Sequence, residues 1–293
     1  MKNHENGCGS PEPMNKKTTN GFLPHGMRDG ALVRAGSLRA ARPDPAFGPW
    51  DGVFETVRVA NGGPIWLAEH ADRLAGAVAW LGRAAGSALG STRSTLPERC
   101  GQVIAANGMS EGSLKVIVGL EDRGWTEVIL ARATRYGPER YAAGFRLQPV
   151  TCGARSAERD GWKTLYRPHH DNARTRAEAA GCDEALWVGP GGRVLEGSVT
   201  NIFVVRDGRV STPPLAAGIL PGVVRARVIR LAAAAERDIA LDELRNAHEV
   251  FVTNALLGLM PVAQIGATPF DLAANPVTRS LMAGLAASLR LPS

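Results

Sequence analysis

The segment at 163–203 limits the possible fold and function of this chain more than any other. It joins predicted elements that carry a lysine and a glutamate far apart in sequence. Lys163 stands between apolar residues, and the Ala-rich stretch at 168–180 predicts a helix. Two apolar runs around the Pro-Gly-Gly turn at 190–192 then predict a β-hairpin, whose second strand ends at Glu196. The lysine and the glutamate therefore lie on different elements, and only the tertiary fold can bring them together.

Apolar residues repeat with the periods of strands and helices along most of the chain. In the first half they predict strands at 53–60, 114–120 and 126–134, and helices at 67–85 and 95–108. The second half adds further predicted elements: a strand at 145–151, a hairpin turning at Asp207-Gly208, a turn and helix at 218–238, and a strand followed by a loop at 248–262. Such hairpins, with helices packed outside them, predict an α+β fold.

Changes in composition along the chain predict two domains after a tail. Residues 1–30 are rich in Asn, Gly, Pro, Lys and Thr without a period, which is typical of a disordered tail. The segment at 134–144 has the composition of a connector. We therefore predict a small α/β domain at 31–138 and a larger domain at 139–293.

The overall composition disfavours several classes of protein. The net charge of +6 comes from 34 basic and 28 acidic residues that are interspersed, and aromatic residues make up only 5%. Basic runs that alternate with aromatic residues are lacking, so we expect no nucleic-acid partner. The sequence has no apolar run of membrane-spanning length and no apolar core near its start, so we expect a cytosolic protein without a membrane partner. The four cysteines lack metal-ligand spacing, so we expect no metal site.

Two side chains suggest the chemistry of a pyridine cofactor. A lysine whose stem is buried loses its proton more easily, because desolvation disfavours the ammonium. Lys163 has the apolar neighbours for this, and Glu196 supplies a carboxylate on another element. Pyridoxal phosphate needs an amine that forms a Schiff base and a carboxylate that holds its ring nitrogen protonated. Taken alone, each residue is more typical of an exposed surface side chain.

Three other segments offer groups for a phosphate. The turn GILPG at 218–222 opens into a helix whose first amides can bind an anion. Arg73 lies on the predicted helix at 67–85, and Thr253-Asn254 end a predicted strand. A solvated helix face and an ordinary turn remain alternative interpretations. The adjacent His169-His170 point to different sides of an element, which disfavours a shared metal.

The order of these segments resembles the fold-type IV pyridoxal-phosphate enzymes, the class-IV aminotransferase family. The resemblance covers about residues 50 to 265. It rests on six spaced motifs: DGVFETVRV at 51–59, H-x-x-R-L at 70–74, K-x-L at 163–165, DEAL to LEGSVTNIF at 183–203, GILPG at 218–222, and TNALLGLMPV at 253–262.

This resemblance implies a fold, an assembly and residue roles. It implies a small α/β domain followed by a larger pseudo-barrel domain, with the site between them, and a homodimer. Pyridoxal 5′-phosphate would be the cofactor, Lys163 the Schiff-base lysine and general acid/base, and Glu196 the partner of the pyridine nitrogen. The implied phosphate contacts are Arg73, the backbone amides of Val223 and Val224, and Asn254.

The resemblance implies one cofactor, but it leaves more than one reaction open. Thr56 in FET and the TNALLGLMPV motif are closer to the aminodeoxychorismate lyases, in which a threonine hydroxyl would assist proton transfer. We therefore expect a 4-amino-4-deoxychorismate lyase first, with an amino-acid aminotransferase of branched-chain or D-amino-acid type as the alternative. A catalytically silent cofactor-binding homologue is a second alternative. Arg123 and Tyr166 are the candidate substrate contacts.

Overall fold

The structure is a computed structural model that describes residues 21–38, 52–85, 92–121, 124–133 and 136–288. Within these residues the chain forms two β-sheets with helices packed on them. The α+β fold class predicted from the sequence is confirmed. No helix in the described parts of the chain is long and apolar enough to cross a membrane.

The first sheet has six strands, all paired antiparallel, in the order β2-β1-β6-β5-β3-β4. Its strands are β1 (Phe22–Arg28), β2 (Ala31–Arg34), β3 (Gly52–Ala60), β4 (Gly63–Pro64), β5 (Gly112–Glu121) and β6 (Gly124–Arg132). Helices α1 (Leu67–Ala85) and α2 (Thr92–Ala106) follow β4 and pack against the first sheet. The buried face of α1 carries Leu74, Val78 and Leu81, as its helical period predicts.

Strand β1 corrects the predicted tail. Residues 1–20 lie outside the described residues, but the end of the segment expected to be disordered is an ordered strand. Phe22 and Met27 are buried, and β1 pairs with both β2 and β6. The prediction was wrong here because Pro24 and the nearby glycines hide the alternation of apolar and polar residues that indicates a strand. Hydrogen bonds to β2 and β6 nevertheless make this segment a strand.

The second sheet has nine strands in the order β12-β11-β10-β13-β14-β7-β8-β9, with β15 paired to β14. Its strands are β7 (Phe145–Thr151), β8 (Glu184–Val188), β9 (Val194–Gly197), β10 (Asn201–Arg206), β11 (Arg209–Thr212), β12 (Ala235–Glu236), β13 (Glu249–Asn254), β14 (Gly258–Ile265) and β15 (Thr268–Pro269). Three pairs are parallel: β7 with β8, β14 with β7, and β11 with β12. The prediction of antiparallel hairpins therefore describes only part of this sheet.

Within the described residues, six further helices follow the first two. They are α3 (Pro138–Ala143), α4 (Ala157–Asp160), α5 (Pro168–Ala179), α6 (Val223–Ala232), α7 (Leu241–Arg245) and α8 (Pro276–Ser288). Helix α5 connects the parallel strands β7 and β8, as such pairs require. The loop predicted after β13 is instead strand β14, because its apolar residues are buried on both faces and lack a period of two.

The two sheets meet at the loop that carries Lys163. Val53 of β3 forms a bridge with Thr164, and the Leu165 N–H donates to the Gly52 carbonyl at 2.9 Å. Each sheet also has its own core: one cluster lies between the first sheet and α1 and α2, and two lie on the faces of the second sheet. The candidate site is thus fixed by strands of both sheets. The domain limits remain predictions.

Candidate active site

Lys163 lies between α4 and α5, where the two sheets meet. The Phe54 N–H donates to the Lys163 carbonyl at 2.9 Å, and the Lys163 Nζ lies 4.8 Å from the centroid of the Phe54 ring. Desolvation lowers the pKa of Lys163 to about 7, and the positive charges of Arg167 and Arg73 act in the same direction. A large fraction of the amine is therefore neutral near pH 7, as a nucleophile or general base requires.

Glu196 lies on strand β9, one residue before its end, and is buried. Its Oε1 accepts from Arg155 Nη1 at 2.9 Å, and its Oε2 accepts from the Leu220 N–H at 3.0 Å and from Asn201 Nδ2 at 3.2 Å. Burial raises the pKa of Glu196, whereas the Arg155 charge and the Leu220 N–H oppose that rise. A carboxylate has about four acceptor positions, so these three donors leave room for one more.

Arg155 and Asn201 were missed by the sequence reasoning. Asn201 follows directly after the SVT of LEGSVTNIF, so the quoted motif contained it without a role. Arg155 lies in the loop after β7 and has no local signal, because it reaches Glu196 across the fold. Only the paired side chains in the structure identify it.

Arg73 is held by a buried network on the first sheet. Its Nε and Nη2 each donate at 2.7 Å to the Glu55 carboxylate, and its Nη1 donates to the Pro221 carbonyl at 2.9 Å. His70 Nδ1 lies 2.7 Å from Glu55 Oε2. Burial alone would raise the pKa of Glu55, but the Arg73 charge and the hydrogen bonds from His70 and Arg73 lower it to about 2. The sequence reasoning quoted Glu55 and His70 but gave them no role.

Helix α6 begins next to this network and provides a cradle for an anion. Its N-cap is Gly222, and within the described part of the chain no side chain caps it and no acidic residue lies in its first turn. The amides of Val223 and Val224 therefore stay available, and the helix dipole favours a negative group there. A Cβ at Gly222 would collide with Asn201 Oδ1, so glycine allows this close approach without a shift of either residue.

Asn254 lies at the end of β13, and its side chain makes local hydrogen bonds. Its Oδ1 accepts from the Leu256 and Leu257 N–H groups at 2.9 and 2.8 Å, and its Nδ2 donates to the Val199 carbonyl at 3.2 Å. The amide therefore closes the turn between β13 and β14. Its expected phosphate contact stays a prediction. The buried hydroxyl of the neighbouring Thr253 has no hydrogen-bond partner among the described residues.

The second candidate catalytic residue, Thr56, and the two candidate substrate contacts lie in different surroundings. Thr56 is half-buried on β3, two residues from Phe54 and on the same face of the strand, and it pairs with Lys115 of β5. Tyr166 is 48% exposed, and its carbonyl accepts from the Thr164 hydroxyl at 3.3 Å. Arg123 lies outside the described residues. The roles of all three stay predictions.

Arg167 adds a cation beside Lys163 to which the sequence analysis assigns no role. In the described residues no carboxylate lies within ion-pair distance of its guanidinium, although Glu196 and Asp171 attract it from further away. His170 Nδ1 lies 3.0 Å from the Ser198 carbonyl and must donate to it, so His170 Nε2 accepts from Arg167 Nη2 at 3.1 Å. Burial and the Arg167 charge lower the pKa of His170 to about 2, which keeps the ring neutral.

These residues fit pyridoxal 5′-phosphate. Lys163 offers a partly neutral amine, and Glu196 offers a carboxylate with an acceptor position to spare. The uncapped start of α6, the hydroxyl of Thr253 and the nearby Arg73 offer donors suited to a phosphate. The site therefore has the features of an enzyme that acts on amino compounds through this cofactor.

Comparison with known proteins identifies the family. The family model described as amino-transferase class IV matches residues 52–265. The chain belongs to that family, and the predictions of a pyridoxal-phosphate enzyme and of its cofactor are thereby confirmed. The motifs at 70–74, 163–165 and 183–203 all lie inside the matched region.

Two relatives by sequence show how far the similarity extends. The chain is 36% identical over 118 residues to the "Probable branched-chain-amino-acid aminotransferase" of Thermotoga maritima, a match that spans 38% of this chain and 43% of the relative. It is 27% identical over 282 residues to the D-alanine aminotransferase of Bacillus licheniformis, spanning 89% of this chain and 95% of the relative. The second similarity covers both sheets.

Two solved structures share the fold. A fold IV transaminase from Curtobacterium pusillum aligns with a TM-score of 0.77 at 25% identity, covering 88% of this chain and 91% of that one. A Legionella pneumophila protein named "Putative 4-amino-4-deoxychorismate lyase" aligns with a TM-score of 0.71 at 24% identity, covering 83% of this chain and 95% of that one. Both similarities agree with the architecture of two sheets.

Proposed function

We propose that this chain is an aminotransferase that moves the amino group of an amino acid to a keto acid. The observation that carries the proposal is the amine of Lys163, whose pKa is lowered to about 7 beside Arg167 and Arg73. An amine of this pKa both accepts and returns protons near neutral pH, and transamination requires both transfers. The D-alanine aminotransferase, similar along most of the chain, supports this choice over the lyase that we expect from motifs.

Each side chain of the site has its own role in the proposed reaction. When bound, pyridoxal phosphate supplies an aldehyde that condenses with amines and a ring that accepts the electrons left by a departing proton. Lys163 removes the proton from the α-carbon of the substrate and returns a proton during the second half of the transfer. Glu196, held by Arg155, keeps a positive charge at the ring nitrogen. Arg73 and the amides of α6 hold the phosphate.

A second candidate function is 4-amino-4-deoxychorismate lyase, which releases pyruvate and 4-aminobenzoate. Thr56 favours it, because its hydroxyl lies on the same face of β3 as Phe54, whose ring contacts the Lys163 amine. The fold shared with the Legionella protein is consistent with it. Both reactions begin with the same proton removal by Lys163, so only the products separate them.

The test supplies the cofactor-loaded protein with L-valine, L-leucine, D-alanine or L-glutamate and a keto acid, and measures the new amino acid by mass spectrometry. Enzymatically prepared 4-amino-4-deoxychorismate is tested separately for pyruvate release. We expect exchange with at least one amino acid, its loss in Lys163→Ala, and its retention in Thr56→Val. Pyruvate release without exchange, lowered by Thr56→Val, would establish the lyase instead. Bound cofactor with neither reaction would indicate a silent homologue.

We also propose the homodimer that the family resemblance implies. The site lies where the two sheets meet, and strands of the first sheet contribute Phe54 and Glu55 to it. Light scattering on the cofactor-loaded protein should give twice the mass of one 31.0 kDa chain. A mass of one chain with full activity would contradict this proposal.

A further inference from the structure

A cavity of about 520 Å³ lies outside the group of residues assigned to the cofactor. It is formed by the loop after β7, by the first turns of α5 and by Trp187 of β8. Neither Lys163 nor Glu196 is among the described residues that line it. A volume of this size accommodates a small organic molecule.

The lining of the cavity combines cationic and aromatic side chains. Its cations are Arg155, Arg167 and Arg176, and its aromatic rings include Trp162 and Trp187. Guanidinium groups bind carboxylates in a planar, bidentate geometry, and indole rings offer flat apolar surfaces. This combination is suited to a flat organic anion.

Few of the described lining residues carry a negative charge that would repel an anion. Asp160 is the single carboxylate among the described lining residues, and it accepts from the Ser156 N–H at 2.8 Å. The imidazole of His170 also lines the cavity and is neutral, because burial and Arg167 lower its pKa to about 2. Arg167 has no ion-pair partner in the described part of the chain, so a bound carboxylate would supply one.

Arg155 connects this cavity to the cofactor site. The guanidinium lines the cavity, and its Nη1 donates to Glu196 at 2.9 Å. An anion in the cavity attracts the same guanidinium, so it weakens the support that Arg155 gives to the Glu196 carboxylate. Occupation of the cavity is thereby coupled to Glu196, the residue that we assign to the ring nitrogen of the cofactor.

We infer that this cavity binds a small aromatic carboxylate as a second ligand, and that the bound ligand acts on the cofactor site through Arg155 and Glu196. The ligand is defined by a planar ring for the tryptophans and one carboxylate for the arginines. The inference holds for either reaction of the amino substrate, because neither Lys163 nor Glu196 lines the cavity; Tyr166, a candidate substrate contact, lies at its wall.

The test is isothermal titration of the cofactor-loaded protein with sodium benzoate at constant ionic strength. Benzamide, which has the same shape without the charge, is the control ligand. We expect one benzoate per chain and at least about tenfold weaker binding of benzamide, since one charge-assisted contact contributes on that order. The Arg176→Gln variant should bind benzoate about tenfold more weakly. Arg176 is exposed on α5, so this change does not touch the core.

Arg174→Gln is the matched control, because Arg174 lies on the same helix and pairs with Glu178 instead of lining the cavity. It should leave benzoate binding unchanged. Benzoate should also shift the visible absorption of the bound cofactor in the wild type and less so in Arg176→Gln. Equal binding of benzamide, equal binding by Arg176→Gln, or binding only to protein without cofactor would overturn the site. Binding without any spectral shift would overturn the coupling to Glu196.

Discussion

Arg155 Nη1 donates to Glu196 Oε1 at 2.9 Å, and the two side chains are only 9% and 4% exposed. The residues come from a loop after β7 and from the end of β9. A buried carboxylate of this kind depends on its partner, because an unpaired charge is costly to remove from water. The pair therefore sets the charge of the residue that we assign to the ring nitrogen.

Replacing Arg155 by methionine removes that partner while keeping an unbranched side chain. Only the Leu220 N–H and the more distant Arg167 then oppose the effect of burial, so the pKa of Glu196 rises further and the carboxyl group ionises only at higher pH. We expect kcat/KM at pH 7 to fall about 100-fold, with partial recovery at pH 9. The measurement is the pH profile of kcat/KM. The control Arg193→Met, which breaks an exposed pair with Asp238, should leave the profile unchanged.

The lowered pKa of Lys163 predicts how the protein takes up its cofactor. Because the neutral amine attacks the aldehyde, covalent attachment should become faster with rising pH and level off just above pH 7. In Arg167→Gln the loss of a neighbouring positive charge should raise the pKa of Lys163 and move the plateau to higher pH. The rate is measured by borohydride trapping and mass spectrometry. An attachment rate in the wild type that still increases toward pH 10 would contradict a lowered pKa.

Glu55→Gln should destabilise the first sheet, because it leaves Arg73 without its buried carboxylate. Breaking a buried ion pair from one side costs about 3–5 kcal/mol of unfolding free energy. The pKa of Glu55 is lowered from 4.5 to about 2, so its stabilising effect is complete above pH 4.5 and disappears as the pH falls toward 2. Urea unfolding should therefore show a large difference from the wild type at pH 7 and a smaller one at pH 3. Glu178→Gln, in an exposed pair, should cost less than about 1 kcal/mol.

Gly222→Ala should weaken cofactor binding through steric contact. The added methyl would lie 2.1 Å from Asn201 Oδ1, so either the amide or the start of α6 must move. Movement of the amide removes a donor from Glu196, and movement of the helix disturbs the amides assigned to the phosphate. We expect at least about a tenfold loss of affinity for pyridoxal phosphate, about 1.4 kcal/mol, measured by fluorescence titration. Gly101→Ala on α2 is the control, since its methyl meets no described atom within 4 Å and should stabilise the helix by up to about 1 kcal/mol.

Most elements could be predicted because their periods are local properties of the chain. The helix at 67–85 and the hairpin turning at 207–208 have clear apolar patterns, the helix at 168–180 is rich in alanine, and the structure contains all three. Strands β1 and β14 have weak patterns and were misjudged. These strands form because they pair with neighbouring strands through hydrogen bonds. Such pairing is not visible in the local pattern of apolar residues.

The sequence by itself determined most of the elements, the family and the two residues on which the proposed chemistry depends, Lys163 and Glu196. Only the tertiary structure decided how these groups ionise. The pKa of Lys163 depends on desolvation and on Arg167 and Arg73, and the carboxylate of Glu196 depends on Arg155. Desolvation and charge act through space, so they depend on which residues the fold brings together and not on their separation along the chain.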